Sequence, residues 1–163
     1  MLNIVIDSGI LIALFDGSDR YHQQAVKFIQ NNREKLHTNL AVITETVYML
    51  DFSIQCQKDF LGWVHQSVHI DRETASDIPR IIEILQKYSD LPADFADASL
   101  VALCERLNTT LVASVDNDFT IYRNAAKKSF KNMILNHAAT IVSINETLYF
   151  VVIQAFLVHD AVI

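Results

Sequence analysis

A strand buried on both faces of a parallel sheet reads as a short, nearly continuous aliphatic run rather than as an alternation. The stretch from Leu2 to Ile6 reads that way, stops at Asp7-Ser8-Gly9, and is followed by a further apolar run from Ile10 to Phe15. The local pattern is therefore strand, turn, short helix. A second such run, Thr109 to Val115, ends in the same abrupt way at Asp116-Asn117-Asp118-Phe119. Between the two, strand and helix signals alternate. His22 to Asn31 carries Ala25, Phe28 and Ile29 on one side, as a helix would. Residues 37–39 form a very short strand candidate, and Thr38 or Asn39 is placed to cap a helix from Leu40 to about Phe52. Gln57 to Gln66 is helical in pattern and Val68 to Ile70 is strand-like. Asp71 can cap a helix reaching about Ser89, although Pro79 marks either a kink or a first turn and would then move the start to near Ile78. After a loop at Asp90-Leu91-Pro92, Asp94 to Leu107 shows the stripe Leu100, Val101, Leu103, Cys104 and Leu107. Strands that alternate with helices predict an α/β domain with a largely parallel sheet.

The bulk properties narrow the function classes. A chain of 163 residues, 51% hydrophobic with 3 Gly and 2 Pro, is long enough for one core and is not a disordered polymer. Its net charge of −6 argues against a broad basic coat for nucleic acid, while leaving room for an enzyme with one basic rim. Cys56 and Cys104 match no zinc or redox spacing and read as small apolar residues within helices. The six histidines show no ligand spacing; His22, near a helix entry, is the one with a route towards the site. Asp7 interrupts the first apolar run and no basic residue precedes it, so nothing resembles a signal peptide, and the cytoplasm is the default compartment. Residues 1–135 read as the domain proper, followed by an apolar extension over 136–163. The uncharged part of that extension, Thr147 to His159, has 13 residues, short of the roughly 20 a helix needs to cross a bilayer. It is expected to pack on the same domain, with a partner-binding segment as the alternative and no membrane role.

The acids carry the chemistry. In an open parallel α/β sheet, ligands collect beyond the carboxyl ends of the strands. Asp7 and Asp116 fall at such ends, and Glu45 and Asp97 lie inside apolar helical stretches. Converging carboxylates raise one another's pKa unless a cation holds them. Oxygen ligands with no Cys and no organised His cluster suit Mg²⁺ or Mn²⁺. Such a site can bind a phosphate oxygen, lower the pKa of a bound water and steady a leaving oxygen.

The opening NIVIDSGILIALFDGSDRYHQQAVKFI resembles the first strand, turn and helix of PIN domains, above all the VapC-type toxin nucleases. TNLAVITETVYML, DLPADFADASLVALCERLN and LVASVDNDFTIYR are similar to the second, third and fourth acidic motifs of that family, in order, across about residues 3–135. The resemblance implies a three-layer α/β/α domain with a short central sheet. It implies a Mg²⁺- or Mn²⁺-dependent endoribonuclease, the toxin half of a toxin–antitoxin pair, in which metal-activated water attacks an RNA phosphodiester. Asp7, Glu45, Asp97 and Asp116 would be both its catalytic acids and its metal ligands. Asp94 and Asp118 match accessory acids. Asp94 lies three residues before Asp97, so one helical face can present both. Asp118 either supports the ligands or caps the next short helix. Ser8 matches the hydroxyl residue that follows the first acid, and serves there as a phosphate or water contact or as a turn former. The basic group Arg123, Lys127, Lys128 and Lys131 directly follows the fourth motif and is a candidate for RNA phosphate contacts. The family also implies a homodimer and a cognate antitoxin protein. Residues 136–163 have no counterpart in it. Two rival readings remain open: a non-catalytic PIN-like module that binds RNA or protein, and a phosphatase using Asp7 as nucleophile. The second wants a general acid two residues on, where this chain has Gly9.

Overall fold

The structure, a computed structural model, describes residues 1–91 and 93–134. Pro92 in the predicted loop and the apolar extension 136–163 lie outside the described residues. The elements run β1 (Asn3–Ile6), α1 (Ser8–Phe15), α2 (His22–Asn31), β2 (Lys35–Asn39), α3 (Leu40–Met49), α4 (Ile54–Ser67), β3 (His69–Asp71), α5 (Ile78–Lys87), α6 (Phe95–Arg106), β4 (Leu111–Ala113), α7 (Asp118–Ile121) and β5 (Lys131–Asn132). The five strands form one parallel sheet in the order β3-β2-β1-β4-β5, flanked by helices in the α/β/α manner.

That order places the functional crevice. From β1 the chain steps outward to β2 and then β3, and the next strand returns to the other side of β1. The order therefore reverses between β1 and β4. At such a switch point the connecting helices leave in opposite directions, and a crevice opens beyond the strand ends. The β1–β4 pairing is in register as Val5 opposite Val112 and Ile6 opposite Ala113, so Asp7 and Ser114 emerge side by side.

Several sequence expectations shift at their edges. The helix expected from Gln57 begins at Ile54, because the Ser53 side chain accepts the Cys56 N–H and caps it earlier. Asn39, not Thr38, caps α3 by accepting the Val42 N–H. Thr38 instead donates its hydroxyl to the Ile6 carbonyl and ties β2 to β1. Helix α5 starts at Ile78 with Pro79 in its first turn. Asp71 does not cap that helix. It accepts the Glu73 N–H in a turn and pairs with Arg106 of α6 at 2.7 Å. Strand β4 is shorter than the Thr109–Val115 run, since Thr109 uses its hydroxyl on the Asn3 carbonyl before the ladder begins. Strand β5 was not anticipated: two residues are too few for a periodicity to register.

Helix α6 is the spine of the core. Leu100, Val101, Leu103 and Cys104 are buried, as the stripe predicted, but so are Ala96, Ala98, Ser99 and Ala102. Small residues on the remaining faces let α6 lie close to the sheet and to α5 at once. Asn39 donates from its side-chain amide to Ser99 Oγ at 2.8 Å, fixing α6 against the end of β2.

Gly9 marks a tight approach in the fold, where Gly17 and Gly62 face open space. A Cβ there would stand 2.5 Å from Val115 Cγ2 and 3.9 Å from a carboxylate oxygen of each of Asp7 and Asp116. The start of α1 and the chain leaving β4 touch at that point, and only a residue without a side chain fits. Gly9→Ala should cost about 1–3 kcal/mol in urea unfolding, as overpacking does. The pair Gly9→Ala with Val115→Ala should recover most of that loss.

Candidate active site

Asp7 sits where β1 hands over to α1 and is 3% exposed. Its Oδ1 accepts the Ser8 backbone N–H at 2.7 Å and the Ser8 hydroxyl at 3.3 Å, capping α1. Its Oδ2 accepts the Ser114 hydroxyl at 2.8 Å. That same Ser114 Oγ accepts the Asp116 N–H at 3.0 Å, so one serine fastens the first acid to the backbone of the fourth. Ser114 is held in turn by Asn132 of β5, whose amide donates to the Ser114 carbonyl at 2.9 Å. The short fifth strand thus acts on the site through one residue.

Asp97 lies in the first turn of α6, and its Oδ2 accepts the Tyr122 phenol at 3.2 Å. Tyr122 is fully buried, stacked edge-on against Phe119 and Tyr88. Asp94 is not on the helical face with Asp97. It is the cap of α6, accepting the Asp97 N–H at 2.9 Å. Asp118 opens α7 rather than capping it, since Asn117 occupies the cap position.

The protonation equilibria show that these acids feel one another. Burial pushes Asp7 up to about 6, against the lowering effect of its Ser114 and Ser8 bonds, and the charges of Asp116 and Glu45 add to the rise. Burial also pushes Asp97 up to about 7, reinforced by Asp7 and Asp94 and opposed by the Tyr122 bond. Glu45 is raised by burial, lowered by the Ser8 hydroxyl nearby, and pushed further up by Asp94 and Asp116. Asp116 is raised by burial and by Asp118, while Arg20 pulls it down. Glu45, from the middle of α3, therefore feels the charges of the same crevice as the three aspartates.

The donor set suits a hard divalent cation: all carboxylate and mutually repelling, with Asp7 buried, Glu45 and Asp97 half-buried and Asp116 open to solvent. Among the described residues no three His, Cys, Asp or Glu side chains already stand as a closed ligand group. Gathering three carboxylates round one ion needs side-chain rotation.

No member of the basic group is among the charges that shift these acids. Arg123 donates its guanidinium to the carbonyls of Thr120, Ile121 and Tyr122, closing the end of α7. Lys131 starts β5 and Lys127 takes a left-handed turn at φ 60°. The cation that acts on the acids is instead Arg20, on the loop before α2. His22 is buried with its ring bonded to the Ala13 carbonyl at 2.7 Å. Ser114 had a signal in the sequence, a hydroxyl two residues before Asp116 in an otherwise apolar run. Tyr122 and Arg20 lie within the motif stretches with nothing to single them out there, and Asn132 lies outside them, because their roles arise from packing between distant elements.

A family model for the PIN domain matches residues 4–128. The chain belongs to the PIN-domain family. It is similar to the protein named ribonuclease VapC6 from Methanocaldococcus jannaschii, at 27% identity over 72% of this chain and 90% of that protein. It is also similar to ribonuclease VapC26 of Mycobacterium tuberculosis, at 24% identity over 69% of this chain and 86% of that one. Among solved structures, the VapC20 toxin of Mycobacterium tuberculosis, described as cleaving the sarcin–ricin loop, superposes with a TM-score of 0.67. That match covers 72% of this chain and 93% of VapC20 at 19% identity, a likeness of fold. The PIN match takes in Asp7, Glu45, Asp94, Asp97, Asp116 and Asp118 together. No helix among the described residues is long and apolar enough to cross a membrane.

The raised acids give a signed prediction for the metal-free protein. A carboxyl whose folded pKa lies above its unfolded value stabilises the fold below the unfolded value, and loses that contribution as pH rises through the folded one. For Asp7, with an ordinary value of 3.8 and a folded value of about 6, the loss amounts to about 3 kcal/mol. His37 runs the other way, because burial lowers its pKa and charging it at acid pH destabilises the fold. Comparison with Asp7→Asn cancels that background. In chelator, the wild type should melt several degrees below Asp7→Asn at pH 8, with the gap narrowing through pH 6 to 4 and closing below about pH 3.8. Millimolar Mg²⁺ or Mn²⁺ should close the gap at pH 8.

Proposed function

We propose that this PIN-domain protein is a metal-dependent endoribonuclease, the toxin component of a toxin–antitoxin pair. The observation that carries the proposal is the convergence of Asp7, Glu45, Asp97 and Asp116 on the switch-point crevice, with all four pKa values raised. The ribonuclease names of its relatives support the same conclusion.

Four carboxylates by themselves repel a phosphodiester. Asp7, Glu45, Asp97 and Asp116 would hold Mg²⁺ or Mn²⁺. Bound there, the ion supplies positive charge for the phosphate oxygens and a lowered pKa for water. The chain's own groups set the geometry. Ser8 and Ser114 fix both oxygens of Asp7, and Tyr122 aims Asp97. Asp94 holds the first turn of α6 in place, and Asp118 adds negative charge beside Asp116. Burial keeps bulk water from screening the charge of Asp7. Phosphates flanking the cleaved bond would meet Arg20 on one side and Lys127, Lys128 and Lys131 on the other.

A homodimer and an antitoxin belong to the same proposal, as does a cytoplasmic location. Met49, Phe52 and Ile54, exposed where α3 turns into α4, offer apolar surface for a protein partner.

Asp7→Asn and Asp97→Asn should each lower the rate of RNA cleavage at least about 100-fold, the scale for removing an electrostatic catalytic group. Both should keep the wild-type circular dichroism spectrum. Cleavage should also stop in chelator and return with Mg²⁺ or Mn²⁺. Undiminished cleavage by both purified variants would overturn the assignment of the acids.

A further inference from the structure

Strands β2 and β3 run parallel with His37 opposite His69. Side chains alternate along a strand, so residues directly opposite each other stand on the same face of the sheet. The two imidazole ring centres are 5.0 Å apart, with their planes at 60°. His37 is 7% exposed, while His69 is open to solvent. His37 Nε2 lies 3.0 Å from Asn3 Oδ1 on β1. An amide oxygen can only accept, so Nε2 carries the ring proton and Nδ1 keeps a bare lone pair. That Nδ1 is buried without a hydrogen-bond partner, alone among the side-chain nitrogens and oxygens of the described residues. A buried polar atom is ordinarily satisfied. Neither the acidic crevice nor the strand ladder makes use of this one.

We propose that His37 and His69 form a two-histidine site for a borderline transition-metal ion (Zn²⁺, Ni²⁺ or Cu²⁺) that joins the edge strand β3 to β2. Imidazole nitrogen suits these ions, whereas Mg²⁺ and Mn²⁺ favour carboxylate oxygens such as those of the crevice. Two imidazoles sharing one ion at about 2.0–2.1 Å place their ring centres roughly 4.5–5.2 Å apart, for angles between a right angle and the tetrahedral one. The observed separation of 5.0 Å falls inside that range. Asn3 supplies what a metal-bound histidine ordinarily has, an acceptor on the other ring nitrogen that fixes tautomer and orientation. Asp71, two residues after His69 and so on the same side of β3, favours positive charge at His37, and Lys35 opposes it. Among the described residues no third His, Cys, Asp or Glu completes the set, so water fills the remaining positions. The site is separate from the acids, none of which is shifted by either histidine.

The test uses the untagged full chain in millimolar Mg²⁺. Cu²⁺ is added at one equivalent and read by electron paramagnetic resonance, and Ni²⁺ affinity is measured by calorimetry. The Cu²⁺ spectrum should show coupling to two imidazole nitrogens. His69→Ala and His69→Gln, which change an exposed side chain, should each lose one of those nitrogens and raise the Ni²⁺ Kd at least about 10-fold. Asn3→Ala should raise it about 10-fold, the scale for removing the partner of a ligand. Replacing His65, His137 and His159 together by Ala should leave both readings as in the wild type. A Kd that is the same in the wild type and both His69 variants overturns the site, as does a wild-type spectrum without imidazole coupling. Loss of affinity in the triple variant also overturns it, because other histidines would then hold the ion. None of these results bears on RNA cleavage, so the ribonuclease reading stands or falls separately.

Discussion

The carboxylate of Asp7 is the joint on which the site is built. It is buried at the one place where the sheet changes direction, between the ends of β1 and β4. Its two oxygens are used separately, one to start α1 through Ser8 and the other to hold β4 through Ser114. A buried charge persists only when its hydrogen bonds are satisfied. Here the bonds that satisfy it are also the bonds that set the spacing between the first and fourth acids. Gly9 completes the joint, because its missing side chain is what allows α1 to come that close to Val115.

From that joint follows an opposition between folding and function. Burial and mutual repulsion raise all four acids, so without a cation the crevice is a cost that the rest of the fold has to offset. The sources of that stability lie away from the crevice. Helix α6 packs on nearly every face, and Arg106 binds Asp71 and Asp77 while Arg80 binds Glu105 and Glu83, tying α5, α6 and the turn after β3 together. Tyr122, buried among Phe119 and Tyr88, connects the apolar core to the acids directly, since its phenol reaches Asp97.

The same arrangement shapes the surroundings of the crevice. Arg20, on the loop before α2, pulls the Asp116 carboxyl down, and a groove lined by Glu45, Tyr48, Asp94 and Phe95 runs between α3, the turn after β3 and the start of α6.

How much of this was legible in the residues depended on the range of the interaction. The apolar runs Leu2–Ile6 and Thr109–Val115, each closed by an acid, determined a parallel α/β sheet and placed Asp7 and Asp116 at its edge. That follows from strand periodicity and the rule for strand ends, both local. Helical periodicity located α2, α3 and α6 to within a few residues, and the order of the four motifs pointed to Glu45 and Asp97. What only the tertiary structure decided is non-local. That Asp94 caps α6 instead of sharing a face with Asp97 depends on where the first helical turn closes. That Ser114 joins Asp7 to Asp116 depends on β4 returning beside β1 after about a hundred residues of intervening chain. Arg20 and Tyr122 lie inside the motif stretches but nothing in the residue order singles them out, and Asn132 lies outside them, because hydrogen bonds and Coulomb interactions act through space and leave no mark in the order of residues.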